Sequence, residues 1–409
     1  MNITILTLGT RGDVQPYVAL GQTLQARGHH VTICTGATFQ SFITSHHLTF
    51  HPSTLDFMAL IQTEEGKALF NGGKMNPTKL LSFIKQVINP GYRQTMDDFY
   101  EASRHSDLII YHPKALGATD IAEALDIHAL CLPPVPMTYP TPEFANFALT
   151  LKNLGPKLNA LSYKATDYAE ASYLKLINDF RKNTLHLTKR KAASHQPAFT
   201  LYPLSRHLFE DVKSWERAPL VVSGFFYLRQ NDTMLSSEIL AFLDNGPAPI
   251  VMTFSSMPLK DPQRLISQLE AALEQTNNRA ILLTGATDVS ASSDQLLTVS
   301  AAPHHLLFAR AKGIIHHGGV GTLAEALLSG KPQAIIPFSV DQPFWAHRLL
   351  TLNLSVATLR EKTLDCTQLV QVFEAFDQPD RIRRALDFAN LLHQEDGVTV
   401  AADYIETLC

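Results

Sequence analysis

His316 and His317 stand directly before Gly318, Gly319 and Gly321, ahead of a helix pattern from Thr322 to Leu328 that Gly330 and Pro332 stop. A glycine-rich loop opening a helix gathers free backbone N–H groups at the positive end of a dipole, an arrangement that binds anions. His317 is placed to donate to a phosphate oxygen held by the N–H groups of Gly319, Val320, Gly321 and Thr322. No lysine follows the glycines, so this is not a Walker loop. Thr322 and Glu325 have the T-x-x-E spacing of a capping box, with ribose binding as the other role for Glu325. Asp341 and Gln342 end the next apolar run, and an acceptor beside a donor–acceptor suits vicinal hydroxyls. A turn or helix cap before Pro343 is the plainer reading of that pair.

A second cluster lies at the start of the chain. GTRGD, residues 9–13, follows the apolar run 2–8. Its glycines permit a sharp turn at the edge where open α/β sheets bind ligands. Asp13 reads either as a general base or as a helix cap. The loop is not G-x-G-x-x-G, and Cys34 and Thr35 stand where a dinucleotide site would place an acid. There is no HExxH, no D-x-D and no G-x-S-x-G, so neither metal chemistry nor a hydrolase elbow is expected.

The elements that must position these loops follow an α/β rhythm. Strand 2–8, helix 14–26 and strand 30–34 open one doubly wound unit, continued by strand 107–111, helix 119–125 and strand 127–132. After a linker at 215–235, strand 250–254, helix 262–273 and strand 280–285 begin a second unit that contains the histidine–glycine loop. Helices are expected at 344–352 and 380–407. Residues 52–100 carry Phe57, Phe70, Met75 and other Met and Phe side chains on irregular segments, which suits an adaptable apolar pocket or ordinary core packing. Residues 151–191 read as helical and basic, with nine Lys or Arg against three Asp or Glu. That composition fits either an anionic membrane surface or a solvated helix face.

With 409 residues, 45% hydrophobic and 18% charged, the chain is long enough for two globular domains. A net charge of −4 speaks against nucleic-acid binding by bulk charge. Cys34, Cys131, Cys366 and Cys409 lie far apart and read as reduced thiols of a cytosol-like compartment. Neither a signal peptide nor a membrane-spanning run is expected.

The segments 9–33, 250–258 and 303–349 together resemble the family 1 glycosyltransferases of GT-B fold, nearest the sterol glucosyltransferase and glycopeptide or macrolide branch. The resemblance covers essentially the whole chain. It implies two Rossmann-like doubly wound domains facing a cleft. Residues 1–215 would bind the acceptor, 216–235 would link, 236–390 would bind the nucleotide-sugar, and a helix in 391–409 would pack back on the first domain. It also implies roles. Asp13 would be the base. Ser256, His317, Gly319, Val320, Gly321 and Thr322 would meet the donor phosphates, Glu325 the ribose, and Asp341 with Gln342 the sugar, with Thr10 also on the donor side. Phe57, Met75 and Met137 fall to the acceptor side. Two positions depart from the pattern: Ser255 replaces a usual glycine, and 285–294 lacks a tryptophan common in sterol enzymes.

The implied activity is inverting, metal-independent transfer of glucose from UDP-glucose to a lipophilic hydroxyl such as a sterol's. The UDP-sugar is a co-substrate, and no cofactor is expected. Transfer of a dTDP-sugar to a macrolide, polyketide or glycopeptide comes second. A nucleotide-sugar epimerase and a non-catalytic binding partner are the alternatives of another class. The expected location is cytoplasmic, with peripheral contact to an anionic membrane through 151–191.

Overall fold

The computed structural model describes residues 1–408 apart from 64, 67–75, 192–196, 229–233, 255–258, 260, 286, 288, 290 and 339–340. Met75 and Ser256 therefore lie outside the described residues. The chain divides into two compact units, Met1–Arg229 with Asp396–Cys409, and Gln230–Glu395.

Unit one carries β1 (Asn2–Leu6), β2 (His30–Gly36), β3 (Thr49–Ser53), β4 (Leu108–Tyr111), β5 (His128–Cys131), β6 (Phe199–Tyr202) and β7 (Leu220–Val222). Their order is β3-β2-β1-β4-β5-β6-β7, with every pairing parallel. Unit two carries β8 (Ile250–Thr253), β9 (Ala280–Leu283), β10 (Leu296–Val299), β11 (Gly313–His316) and β12 (Gln333–Ile335), in the order β10-β9-β8-β11-β12 and also parallel. Parallel strands covered on both faces need apolar residues at every position rather than at alternate ones. LIIY of β4 and AILL of β9 satisfy this, IVMT of β8 departs from it only at Thr253, and all three are buried throughout. The α/β, Rossmann-like fold class read from the sequence is the one observed.

Five helices matter below: α1 (Arg11–Ala26), α2 (Pro156–Ser162), α3 (Val320–Leu328), α4 (Gln342–Thr351) and α5 (Gly397–Glu406). Two sequence expectations need correction. The 216–235 linker fails over its first part, because Leu220–Val222 is the seventh strand, paired with β6. A three-residue strand is too short to show periodicity. The single helix expected over 380–407 is two, Pro379–Leu392 and α5, and Asp396 caps the second by accepting from the Thr399 N–H. Helix α5 buries Ala401, Ala402 and Ile405 in the core that contains Val14, Val18 and Leu24 of α1. Arg27 reaches Asp403 at 2.7 Å alongside that contact.

The basic stretch 151–191 is not one solvated face either. Arg181 is buried, and its Nη1 lies 2.6 Å from both Asp120 and Glu123. Arg190 approaches Asp120 and Glu170. These two cations neutralise a buried carboxylate and are not available to a surface.

Unit two holds a second polar brace. His316, fully buried at the end of β11, accepts the Gly318 N–H on Nδ1 at 3.1 Å. That fixes its proton on Nε2, which donates to Gln333 Oε1 of β12 at 2.8 Å. Burial pushes the imidazole down to about 4, so it is neutral at physiological pH.

Two outcomes are expected. Arg181→Met leaves Asp120 with a poorer partner and should cost ~3 kcal/mol in urea unfolding, whereas exposed Lys175→Met should change stability by under ~0.5 kcal/mol. The unfolded chain protonates His316 near the ordinary value of about 6.5, while the folded chain resists until about 4. Stability should therefore fall with pH across that window, by up to about 1 kcal/mol per pH unit for this residue. His316→Gln should flatten the slope, read from thermal melts at a series of pH values.

Candidate active site

In an open parallel sheet, ligands bind beyond the carboxyl ends of the strands where the strand order reverses. In unit one that place is between β1 and β4, and in unit two it is between β8 and β11. The loops singled out by sequence follow β1 and β11.

Take unit one first. Leu6 of β1 pairs with Tyr111 of β4. The next residue, His112, continues the ladder by donating its N–H to the Leu6 carbonyl at 2.9 Å. Across the reversal, Thr7 Oγ1 donates to the Asp13 carbonyl at 2.6 Å, which closes the turn into α1. Helix α1 starts at Arg11 with Thr10 as its N-cap, three residues earlier than the sequence suggests. Asp13 is thus inside the first turn. Its Oδ2 accepts from the Thr10 N–H at 2.8 Å and from the Thr10 hydroxyl at 3.2 Å. Gly9 has φ +141°, and a Cβ there would stand 2.1 Å from Asp13 Oδ2, so no other residue fits.

The other oxygen of Asp13 faces a lysine and a histidine from the loop after β4. Lys114 Nζ lies 2.8 Å from Oδ1 and His112 Nε2 3.1 Å from it. His112 Nδ1 accepts the Lys114 N–H, which leaves the ring proton on Nε2, 3.1 Å from Asp13 Oδ1 but outside hydrogen-bond geometry. Burial holds His112 below its ordinary value, so the ring is neutral. Burial also acts to raise the Asp13 carboxyl, but the Lys114 charge, the adjacent His112 ring and the Lys114 hydrogen bond outweigh it and hold Asp13 well below the usual carboxylate range. Asp13 is thus not the N-cap itself but the third helical residue that closes a capping box onto Thr10, and the same carboxylate is ionised at neutral pH. Only 14% of its side chain is exposed. Sequence reading missed His112 and Lys114. The one signal was HPK directly after an apolar strand, at the edge where ligands bind.

In unit two, α3 begins at Val320 with Gly319 as N-cap and no capping side chain. Its first-turn N–H groups, those of Val320, Gly321 and Thr322, open the helix without a side-chain acceptor from the cap. The Thr322–Glu325 capping box does not form. Thr322 is the third helical residue rather than the N-cap, and Glu325 lies mid-helix and half-buried. His317 packs onto the loop: a Cβ at Gly319 would stand 2.3 Å from its Nε2, so the imidazole fits only over glycine. His317 is buried, and its Nδ1 has no hydrogen-bond partner among the described residues. Burial pushes it down to about 3, so it too is neutral. A buried, unpartnered imidazole nitrogen beside an uncapped helix start is a polar group in want of a ligand.

Asp341 and Gln342 lie beside this loop, since a Cβ at Gly318 would stand 3.4 Å from the Gln342 carbonyl oxygen. Asp341 takes the N-cap position of α4 without capping it, and its Oδ2 accepts from the Trp345 indole at 2.9 Å. Gln342 is buried, and its Oε1 accepts the Phe338 N–H at 2.8 Å. Both side chains thus fix the approach to α4. Of the acceptor candidates, Phe57 packs against the core with its ring edge to Tyr92, and Met137 is half-buried in the proline-rich loop after β5. Among the described residues, no group of three or more His, Cys, Asp or Glu is placed to hold a metal ion.

Comparison with known proteins gives the family and the fold. Residues 3–137 match the glycosyltransferase family 28 N-terminal domain, and residues 275–390 match the erythromycin biosynthesis protein CIII-like C-terminal domain. Two sterol 3-beta-glucosyltransferases of Arabidopsis thaliana are 32% and 30% identical over 98% of the chain, which spans 67% and 64% of their lengths. One from Aspergillus terreus is 28% identical over 99% of the chain, which spans 30% of that protein. Among solved structures, the glycosyltransferase of kitacinnamycin superposes with TM-score 0.73 at 17% identity, covering 100% of this chain and 98% of that one. The glycosyltransferase VinC, solved with dTDP, superposes with TM-score 0.68 at 17% identity, covering 100% and 99%. At such identity these two speak to the fold. The sequence match carries more, and by it the chain belongs to the glycosyltransferase family of the sterol 3-beta-glucosyltransferases.

Proposed function

We propose that this protein is an inverting glycosyltransferase that moves glucose from UDP-glucose to the hydroxyl of a lipophilic acceptor, a sterol in the first instance. The donor assignment is carried by the unpartnered Nδ1 of buried His317 over the uncapped start of α3. A diphosphate satisfies both: its oxygens accept the first-turn N–H groups, and a neutral His317 protonated on Nδ1 donates to one more. The acceptor class follows the plant relatives, which are sterol 3-beta-glucosyltransferases. The chain spans about two thirds of those relatives, so the reading applies to the part held in common.

In the proposed reaction the acceptor oxygen forms a bond to the anomeric carbon from the face opposite the diphosphate. The bond between that carbon and the phosphate oxygen breaks, and the electron pair leaves with the UDP. Asp13 takes the acceptor proton. A carboxylate held this acidic is a weak base towards a free alcohol. It is sufficient once the oxygen has begun to bond to carbon and its proton has become strongly acidic, so transfer falls late. Lys114 and His112 keep Asp13 ionised and oriented. Negative charge growing on the departing diphosphate is met by the backbone dipoles at α3, without a metal. Ser256, Thr10, Glu325, Asp341 and Gln342 remain assigned to the donor, and Phe57, Met75 and Met137 to the acceptor, as proposals. A cytoplasmic, membrane-peripheral location suits such an acceptor, and no described helix is long and apolar enough to cross a membrane.

A second reading, a dTDP-sugar transferase acting on a natural-product aglycone, is favoured by the match of residues 275–390 to the erythromycin protein. A mass-spectrometric screen of UDP- and dTDP-sugars against sterols and aglycones separates the two. The first reading expects a hexosylated sterol from UDP-glucose. It fails if only an aglycone is modified.

Asp13→Ala should lower kcat by roughly 10²–10⁴-fold with little change in donor KM. Undiminished turnover at saturating substrates would remove Asp13 from the chemistry. Because Lys114 holds the Asp13 carboxyl down, Lys114→Met should raise it and bring into the accessible range an acid limb of the pH–rate profile that the wild type does not show there. A profile unchanged at its acid end would remove Lys114 from the control of Asp13.

A further inference from the structure

Helix α2 is built inside out. Its buried residues are Asn159 and Ser162, while Leu158 and Leu161 are 54% and 52% exposed. A helix on an aqueous surface shows the opposite arrangement. The neighbouring chain repeats it, with Leu149, Leu151, Leu154 and Tyr168 also exposed.

These side chains are not outward because the segment is loose. A polar scaffold underneath fixes them. Asn159 Oδ1 accepts the Leu154 N–H at 2.9 Å, and its Nδ2 donates to the Pro142 carbonyl at 2.8 Å and to Asn153 Oδ1 at 2.9 Å. Ser162 Oγ accepts the Asn146 N–H at 2.7 Å, and Asn146 Oδ1 accepts the Ala148 N–H at 3.0 Å. Asn146 and Asn159 are both fully buried. The backbone is satisfied from within, so the leucines are free to face an apolar medium.

Charge identifies that medium. Residues 144–168 contain Lys152, Lys157 and Lys164 against a single acid, Asp167, and all three lysines are exposed. We propose that the 148–168 surface seats this protein on an anionic lipid leaflet, with its leucines in the boundary between headgroups and acyl chains and its lysines against lipid phosphates. A second copy fits poorly, because a two-fold contact of this patch would set lysines against lysines. The wider basic stretch is not the contact, since Arg181 and Arg190 are turned inward to carboxylates. The chain leaves β5 at the sheet edge that carries Asp13 and His112 and then runs into the patch.

The test is co-sedimentation of the full chain with vesicles of phosphatidylcholine alone or with about 30 mol% phosphatidylserine. Binding is expected to the mixed vesicles. It should fall by roughly tenfold in Leu158→Ser/Leu161→Ser, and Lys152→Glu/Lys157→Glu should lose the preference for the anionic lipid. Circular dichroism checks that each variant is folded. Leu158→Trp keeps the apolar character and should show a blue-shifted emission on the same vesicles. No binding by the wild type, full binding by the folded leucine variant, or an unshifted Leu158→Trp emission overturns the proposal. So does a wild-type dimer in light scattering that the leucine variant breaks, which would give the face to a second copy. Lipid binding is read without donor or acceptor, so its failure and that of the proposed transferase activity are separately visible.

Discussion

The constraint on which this structure depends is the all-parallel sheet. A parallel strand cannot turn directly into its neighbour, so each crossover returns over a face and each strand ends at the same edge. The strand order must then reverse somewhere, and at that point two crossovers diverge and leave their loops without a roof. Unit one reverses between β1 and β4, and unit two between β8 and β11. The candidate groups lie there because polar backbone can face outward there while both sheet faces remain sealed by helices.

Within that frame the two units prepare charge in different ways. Unit one assembles an ionised carboxylate, keeping Asp13 charged with Lys114, His112 and the Thr10 N–H. Unit two keeps its histidines neutral by burial and lets the start of α3 supply the positive end. His316 is the part that makes this mechanical. It ties the Gly318 N–H to Gln333, so the loop is fixed from below and His317 rests on Gly319 from the side. Of two adjacent histidines, one is brace and the other is left with a nitrogen for a ligand.

Several expectations failed for physical reasons that a linear reading cannot supply. Thr322 and Glu325 have the spacing of a capping box, but Gly319 is the N-cap and the helix begins before them. Glycine gives a cap no side-chain signature, so the boundary was misplaced. The basic count in 151–191 treated all cations alike, whereas Arg181 and Arg190 serve Asp120, some 60 residues earlier. Nothing in the sequence marks the leucines of α2 as outward, because exposure is not a property of the residue but of what is packed behind it.

The sequence by itself determined the α/β class, the two glycine-bearing loops and the family, since these rest on local periodicity, turn chemistry and contiguous motifs. The family resemblance also singled out Asp13, His317 and the glycines around it. Only the tertiary structure decided what surrounds them. Asp13 is ionised and oriented by residues about a hundred positions away, brought to it by the pairing of Leu6 with Tyr111. That register is fixed by burial of two complete strands and is written in neither loop. The same holds for the outward leucines, whose direction is set by Asn146 and Asn159 beneath them. Contacts that depend on where the chain returns are decided by packing, and packing is complete only when the whole sheet is.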